Sequence, residues 1–366
     1  MKMRAYVARE ANKYAMENVE LADPKFGEIR VKLVASGVCH TDAAALAQFI
    51  PLTLPAVLGH EGVGIVDAVG PGMSDFEVGD HVIMSYPSCG CCVPCQQGKP
   101  YACRKGHHMM FDGSYSDGGR RITGEKGEKI SSLFGQASFA EYSIIEARNA
   151  VKVDKSVDLK PLVSLGCGVQ TGAGAVLKRL DPEPGSSLVV FGVGAVGIAA
   201  IMAAKIAGCS KIIGVDVVPS RLQLALECGA TDVINGKEVD AVAKIKEITG
   251  GNGANYSVEC SGVPALCVQA LDCLDQEGTE CIVSVTGDRD MVFKPEMQLM
   301  TPCRTLTGVV EGGSNPKVFI PELVKFYQEG RLPVDKLCKY YKFEELDAAM
   351  EDSHSGAVIK PVLVME

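Results

Sequence analysis

Cys89, Cys92, Cys95 and Cys103 follow one another in C-x2-C-x2-C-x7-C spacing. Four thiolates on so short a lobe can close tetrahedrally around one zinc ion. A site closed in this way has no position for a substrate, so its expected role is to fix the loop that carries it. Cys91 falls out of frame and reads as a spare, with replacement of Cys92 as the alternative. Two other polar constellations stand out of apolar surroundings, Gly37-Val38-Cys39-His40-Thr41-Asp42 and Gly59-His60-Glu61-Gly62. Farther on, Cys167 sits among small residues ahead of an expected helix.

A second kind of chemistry is written in Leu188 to Asp216. The apolar run Leu188 to Phe191 leads into Gly192, Gly194 and Gly197 in G-x-G-x-x-G spacing, then a helix-compatible run closing near Gly208. A second apolar run, Ile212 to Val215, ends on Asp216. Strand, glycine turn, helix, strand and terminal acid in that order make a dinucleotide site. Gly192 can take the turn, Gly194 admits a pyrophosphate to the backbone N–H groups, and Gly197 allows close helix packing; the helix N-terminus faces the negative charge. Asp216 would hold the adenosine ribose hydroxyls and repel a 2′-phosphate, which predicts NAD rather than NADP.

The elements around these motifs fall into two styles. From Met1 to about Val82, short alternating runs with Gly and Pro punctuation predict a mostly β, barrel-like unit. Residues 104–136 are polar and glycine-rich and read as surface loop with a solvated charged face. Beyond Asp216 helical and extended segments alternate: Arg221 to Cys228 helical, Asp240 to Thr249 helical, Tyr256 to Cys260 extended, Cys267 to Leu274 helical and Cys281 to Val285 extended. Alternation of that kind implies an α/β class with a doubly wound parallel sheet covered on both faces. Cys228, Cys260, Cys267, Cys273 and Cys281 lie on these elements without ligand spacing and are expected to pack in the core. A helical pair, Pro321 to Glu329 and Phe343 to Asp352, and a strand, Val358 to Met365, complete the pattern.

Composition excludes several classes. The 366 residues suffice for two domains, and 47% hydrophobic with 22% charged content is that of a globular protein. A net charge of −9 argues against nucleic-acid or anionic-membrane partners. The apolar stretch Val189 to Ala204 is glycine-interrupted and too short to span a bilayer, and MKMRAYVARE lacks a signal-peptide core, so a cytoplasmic location is expected. Fifteen cysteines, an odd number in a chain without a signal, suit thiolate ligands better than disulfides.

Taken in order, Cys39, the GHE of Gly59 to Glu61, the four-cysteine lobe, LGCGVQTGAGAV of Leu165 to Val176 and the GVGAVG turn resemble the zinc-containing alcohol dehydrogenases of the medium-chain dehydrogenase/reductase superfamily, over essentially the whole chain. The resemblance implies a mostly β, GroES-like barrel catalytic domain, 1–168 and 311–366, with the structural zinc lobe at 89–103. A Rossmann domain, 169–310, is inserted into it. It further implies that Cys39, His60 and Cys167 bind a catalytic zinc, two thiolates and an imidazole being the open set of which alcohol dehydrogenase is the type case. Polyol dehydrogenases usually have a glutamate as third ligand, so Cys167 favours the alcohol branch.

By the same resemblance Asp42 accepts the second ring N–H of His60, Glu61 is the carboxylate that can approach the metal, and Thr41 is the hydroxyl beside the alcohol. Arg221 lies near the adenosine ribose and Thr171 on the nicotinamide side. His40 stands where liver-type enzymes carry an arginine on the pyrophosphate, and Ala44 where they carry the histidine that ends the proton relay. Both departures are similar to the aryl-alcohol, or benzyl-alcohol, dehydrogenases. Two zinc ions per subunit, NAD, a small hydrophobic primary alcohol or its aldehyde, and a homodimer or homotetramer involving Val309 to Asn315 are the implied cofactors and partners. Met84, Tyr86, Leu133 and Phe134 are the implied channel lining. The rivals are a glutathione-dependent formaldehyde dehydrogenase, a secondary-alcohol or hydroxysteroid dehydrogenase, and a non-catalytic zinc and nucleotide sensor.

Overall fold

The computed structural model describes residues 1–365. They form two compact units, one of Met1–Cys167, Asn315–Lys325 and the chain from Val334 onward, the other of Gly168–Ser314 and Phe326–Pro333. Among the described residues no helix is long and apolar enough to cross a membrane.

The first unit is built on β structure. Lys2–Glu10, Lys13–Leu21, Ile122–Thr123, Lys129–Ser132 and Ala56–Val57 close into a barrel. Period-two alternation sends Met3, Ala5, Val7, Val19, Leu21, Ile122 and Ile130 inward to one core. Beside it runs a sheet ordered Ala150–Val153, His81–Met84, Glu61–Val69, Glu28–Gly37, Lys360–Val364 and Cys338–Lys342, with Tyr142–Glu146 also paired to Glu28–Gly37. Within this sheet Gly37 pairs with Glu61 on one side and Val362 on the other. Residues from the start and the end of the chain therefore meet at one strand end.

Residues 104–136 depart from the expected solvated loop. They include a helix, Gly106–Phe111, and two barrel strands. Arg121 is 3% exposed, its guanidinium paired with the buried Glu28 and with Asp117 and stacked 4.5 Å from the Tyr115 ring centre. Local polarity suggested solvent, but an acid from another strand neutralises the arginine inside.

The second unit holds a six-stranded sheet with every pair parallel, ordered Asp232–Asn235, Lys211–Asp216, Ser187–Phe191, Ala254–Glu259, Leu274–Ile282 and Thr305–Gly308. Numbered along the chain this is 3-2-1-4-5-6, the doubly wound dinucleotide order. The helix Ala195–Ala207 is apolar and buried from Gly197 to Ala204, and Gly208 ends it in the left-handed conformation. One helix begins earlier than expected, at Pro264 rather than Cys267, because proline is pre-organised for a first helical turn; the following strand is Leu274–Ile282. Cys228, Cys267, Cys273 and Cys281 are buried and Cys260 is half-buried.

Candidate metal centres and dinucleotide site

The strand Glu28–Gly37 delivers Cys39 to the N-cap of the helix His40–Leu46 in extended conformation. Asp42, in the first turn of that helix, is fully buried; its Oδ2 accepts from the Cys39 N–H at 2.9 Å. Its Oδ1 accepts from the Gly59 N–H at 2.9 Å and lies 3.0 Å from His60 Nδ1. Gly59 has φ +85, and a Cβ there would come within 2.6 Å of Phe139 and Ser138, so only glycine brings the chain into His60 by this path. Cys167 caps the C-terminus of the turn Lys160–Gly166.

These elements bring one ligand atom each of Cys39, His60 and Cys167 within 4.8 Å of one another. With Asp42 accepting at Nδ1, the His60 tautomer leaves Nε2 as a lone pair, and that atom is buried with no hydrogen-bond partner. An orphaned imidazole nitrogen beside two thiols fits a zinc ion. The electrostatics agree: the bond from Cys167 outweighs burial in holding the Cys39 thiol well below its ordinary range, with help from Lys360 and His60. Burial opposes a charged His60, yet Asp42 and Cys39 raise its pKa well above the usual value, so a zinc ion taking Nε2 would displace a proton from the ring.

Lys360 is a residue that motif reading missed. Its Nζ lies 2.6 Å from Glu61 Oε2 and 3.2 Å from Val38 O, with both side chains buried. Burial raises the Glu61 carboxyl while Lys360 opposes that rise. The only signal in the sequence is a lysine set in the apolar run Val358-Ile-Lys-Pro-Val-Leu-Val. Gly37 makes room for the pair, since a Cβ there would sit 2.2 Å from Glu61 Oε2.

Thr41 Oγ1 lies 3.8 Å from Cys39 Sγ, His40 is exposed, and Ala44 is buried in the same helix. Met84, Tyr86, Leu133 and Phe134 are all buried in one core cluster. Of these Phe134 stacks on the cluster, its ring 4.7 Å from that of His60, and Phe111 meets it edge to face at 5.5 Å. Phe134 is held at φ 54, a left-handed conformation unusual for an aromatic residue.

Cys89, Cys92, Cys95 and Cys103 form the second cluster, with sulfur separations of 3.9 Å (89 to 95), 3.5 Å (92 to 95) and 4.0 Å (92 to 103). A zinc ion with Zn–S bonds of about 2.3 Å at tetrahedral angles needs sulfurs about 3.8 Å apart, so the quartet fits. Burial works against it, but the N–H groups of Cys91 and Cys92 bring the Cys89 thiol down to about 6. The Cys91 side chain is exposed and outside the quartet.

In the second unit Gly192 has φ +84, and nothing lies within 4 Å of where a Gly194 Cβ would be, which leaves room for a diphosphate at the helix N-terminus. At Gly197 a Cβ would fall 2.0 Å from Gly192 O. Asp216 Oδ2 accepts from the Val193 N–H at 2.9 Å, tying the acid to the glycine turn. Arg221 Nη1 is 4.0 Å from Asp216 Oδ2. Thr171 is buried on the helix Gly168–Gly174, its hydroxyl 3.5 Å from Glu311 Oε2.

A model of the zinc-binding dehydrogenase family matches residues 195–329, and one of the alcohol dehydrogenase GroES-like domain matches residues 25–155. The chain is 38% identical over 352 residues to the geraniol dehydrogenase of Castellaniella defragrans, covering 96% of this chain and 94% of that protein. The chain belongs to the zinc-containing alcohol dehydrogenase family. Two solved structures extend the likeness to this dehydrogenase. An alcohol dehydrogenase zinc-binding domain protein from Burkholderia ambifaria has a TM-score of 0.97 and 44% identity, with 100% of this chain and 99% of that one covered. The benzyl alcohol dehydrogenase of Acinetobacter calcoaceticus has a TM-score of 0.96 and 41% identity, with both chains covered completely. The protein is thus an alcohol dehydrogenase of the medium-chain superfamily, with a GroES-like domain and a Rossmann domain.

Proposed function

We propose that this dehydrogenase transfers a hydride reversibly between a hydrophobic, aryl or allylic primary alcohol and NAD, giving the aldehyde. The observation that carries the reading is the buried, unpartnered Nε2 of His60 beside the thiols of Cys39 and Cys167. Zinc held by these three residues supplies Lewis acidity that lowers the pKa of an alcohol, and NAD supplies the hydride acceptor. Asp42 fixes the ring of His60 and orders the Cys39 backbone. Glu61, restrained by Lys360, places a carboxylate near the ligands. The Thr41 hydroxyl takes the alcohol proton while giving up its own, and with Ala44 offering no base, water receives that proton. The turn of Gly192, Gly194 and Gly197 meets the diphosphate, Asp216 and Arg221 the adenosine ribose and Thr171 the nicotinamide side; the diphosphate role of His40 rests on the family likeness alone. The quartet Cys89, Cys92, Cys95 and Cys103 holds a second, structural zinc.

The apolar surroundings of His60, with the Phe134 ring against it and Phe111 edge-on to Phe134, support a substrate with a π face or an apolar chain. The names of the two relatives, geraniol and benzyl alcohol dehydrogenase, point the same way. A cytoplasmic homo-oligomer is proposed as well. Thr305–Gly308 is an edge strand, followed by Val310 at 54% exposure, and an unpaired edge of this kind can pair with a second copy. Metal analysis and a panel of benzyl alcohol, geraniol, ethanol, a polyol and a hydroxysteroid test the reading. Benzyl alcohol or geraniol should lead in kcat/KM with NAD, without glutathione. A lead for the polyol or the hydroxysteroid would overturn it.

A further inference from the structure

The strand Ala254–Glu259 lies beside Ser187–Phe191, where the strand order of the parallel sheet reverses. Ligands of such sheets bind in the crevice outside the carboxyl ends of the strands at that point. The strand ends on a fully buried acid, Glu259. Its Oε1 accepts from the backbone N–H of Ser261 at 2.7 Å, from the N–H of Gly262 at 3.2 Å, and from the Ser261 hydroxyl. Its Oε2 accepts from the Ser284 hydroxyl, beyond the end of the neighbouring strand Leu274–Ile282, and lies 3.3 Å from Gly262 N. One carboxylate thus uses all its acceptor capacity to fasten two adjacent strand ends.

What it fastens abuts the glycine turn. A Cβ at Gly192 would lie 3.0 to 3.1 Å from Ser261 N, Cα and Cβ, so the turn and Ser261 pack backbone to backbone. The same small loop is held from the other side by Arg289, which donates to Gly262 O and to Thr286 O, each at 2.8 Å. Displacing Ser261 would shift the surface against which Gly192 turns.

We infer that Glu259 is a positioning residue for the dinucleotide: without touching it, the carboxylate sets Ser261, Gly262 and Ser284 as the wall of the crevice next to Gly192. The inference rests on the dinucleotide reading above and goes beyond it. In Glu259→Gln, with an amide nitrogen in place of Oε2, the side chain can no longer accept from the Ser284 hydroxyl, and Gly262 keeps only its bond to Oε1, so the loop loses part of its anchor. Ser284→Ala removes a single donor and leaves Glu259 in place.

The test is NADH titration by fluorescence on the purified wild type, E259Q and S284A, well below their melting temperatures, with KM for alcohol at saturating NAD measured alongside. E259Q is expected to weaken NADH binding by about tenfold and S284A by about threefold, as lost buried hydrogen bonds would. KM for the alcohol should stay within about twofold, a split that a general loss of stability would not give. A folded E259Q that binds NADH as the wild type does overturns the inference and leaves the dinucleotide reading intact. Should E259Q fail to fold, an unchanged Kd in S284A overturns it instead. Wild-type protein that binds no NADH overturns both.

Discussion

Lys360 Nζ and Glu61 Oε2 lie 2.6 Å apart with both side chains almost wholly withdrawn from water. The pair joins the strand Lys360–Val364 to the strand Glu61–Val69 that follows His60. Removing one partner of such a pair leaves an uncompensated charge. Lys360→Met should therefore lose about 3 to 5 kcal/mol of stability, read as a fall in melting temperature. Adding Glu61→Gln to the same chain should restore part of that loss. An additive double variant would show that the two groups act separately.

Asp42 accepts from His60, the Cys39 N–H and the Gly59 N–H at once. Asp42→Ala should lower zinc affinity at the Cys39 site by about 10- to 100-fold, since the histidine loses the group that fixes its tautomer. Metal content after dialysis against graded chelator measures it. The zinc of the four-cysteine site should survive the same dialysis.

Two glycines of one turn should fail in opposite ways. Nothing lies within 4 Å of a Cβ at Gly194, so Gly194→Ala should keep stability within about 0.5 kcal/mol while KM for NAD rises. At Gly197 the added methyl meets Gly192 O at 2.0 Å, and Gly197→Ala should cost about 1 to 3 kcal/mol in thermal unfolding.

Glu280 is buried, and neither carboxylate oxygen has a hydrogen-bond partner. Burial first, then the charges of Glu259 and Asp272, push its pKa from 4.5 up to about 8. A folded-state pKa above the unfolded one contributes stability that is complete below 4.5 and is lost as pH rises through about 8. The melting temperature should accordingly fall between about pH 5 and pH 9, and fall less in Glu280→Gln, which cannot ionise. Equal slopes for the two proteins would assign the effect to other groups.

Local chemistry was legible in the sequence where spacing alone imposes geometry. Gly192, Gly194 and Gly197 take up the turn, the open space and the close packing that their positions suggested, and the cysteines at 89, 92, 95 and 103 come together. Cys39, His60 and Cys167 were named only through family likeness, because they lie far apart along the chain and no local spacing links them. Lys360, Glu259 and the Arg121 pair with Glu28 escaped for a related reason. Each is a buried charge whose partner is set by sheet topology, and a single charged residue in a strand reads the same whether it meets solvent or an opposite charge.

All six strands of the parallel sheet in the second unit point the same way, so its two rims have different occupations. Gly192, Asp216, Glu259 and Ser284 gather on the rim where strands finish. The rim where strands start is reached through bends at Gly208, Gly229, and Gly250 to Gly253, most of them in left-handed conformations. Peptide tags, fluorophores or short insertions belong on this starting rim, where they would leave the ligand-facing loops alone; the same graft on the finishing rim would fall among them.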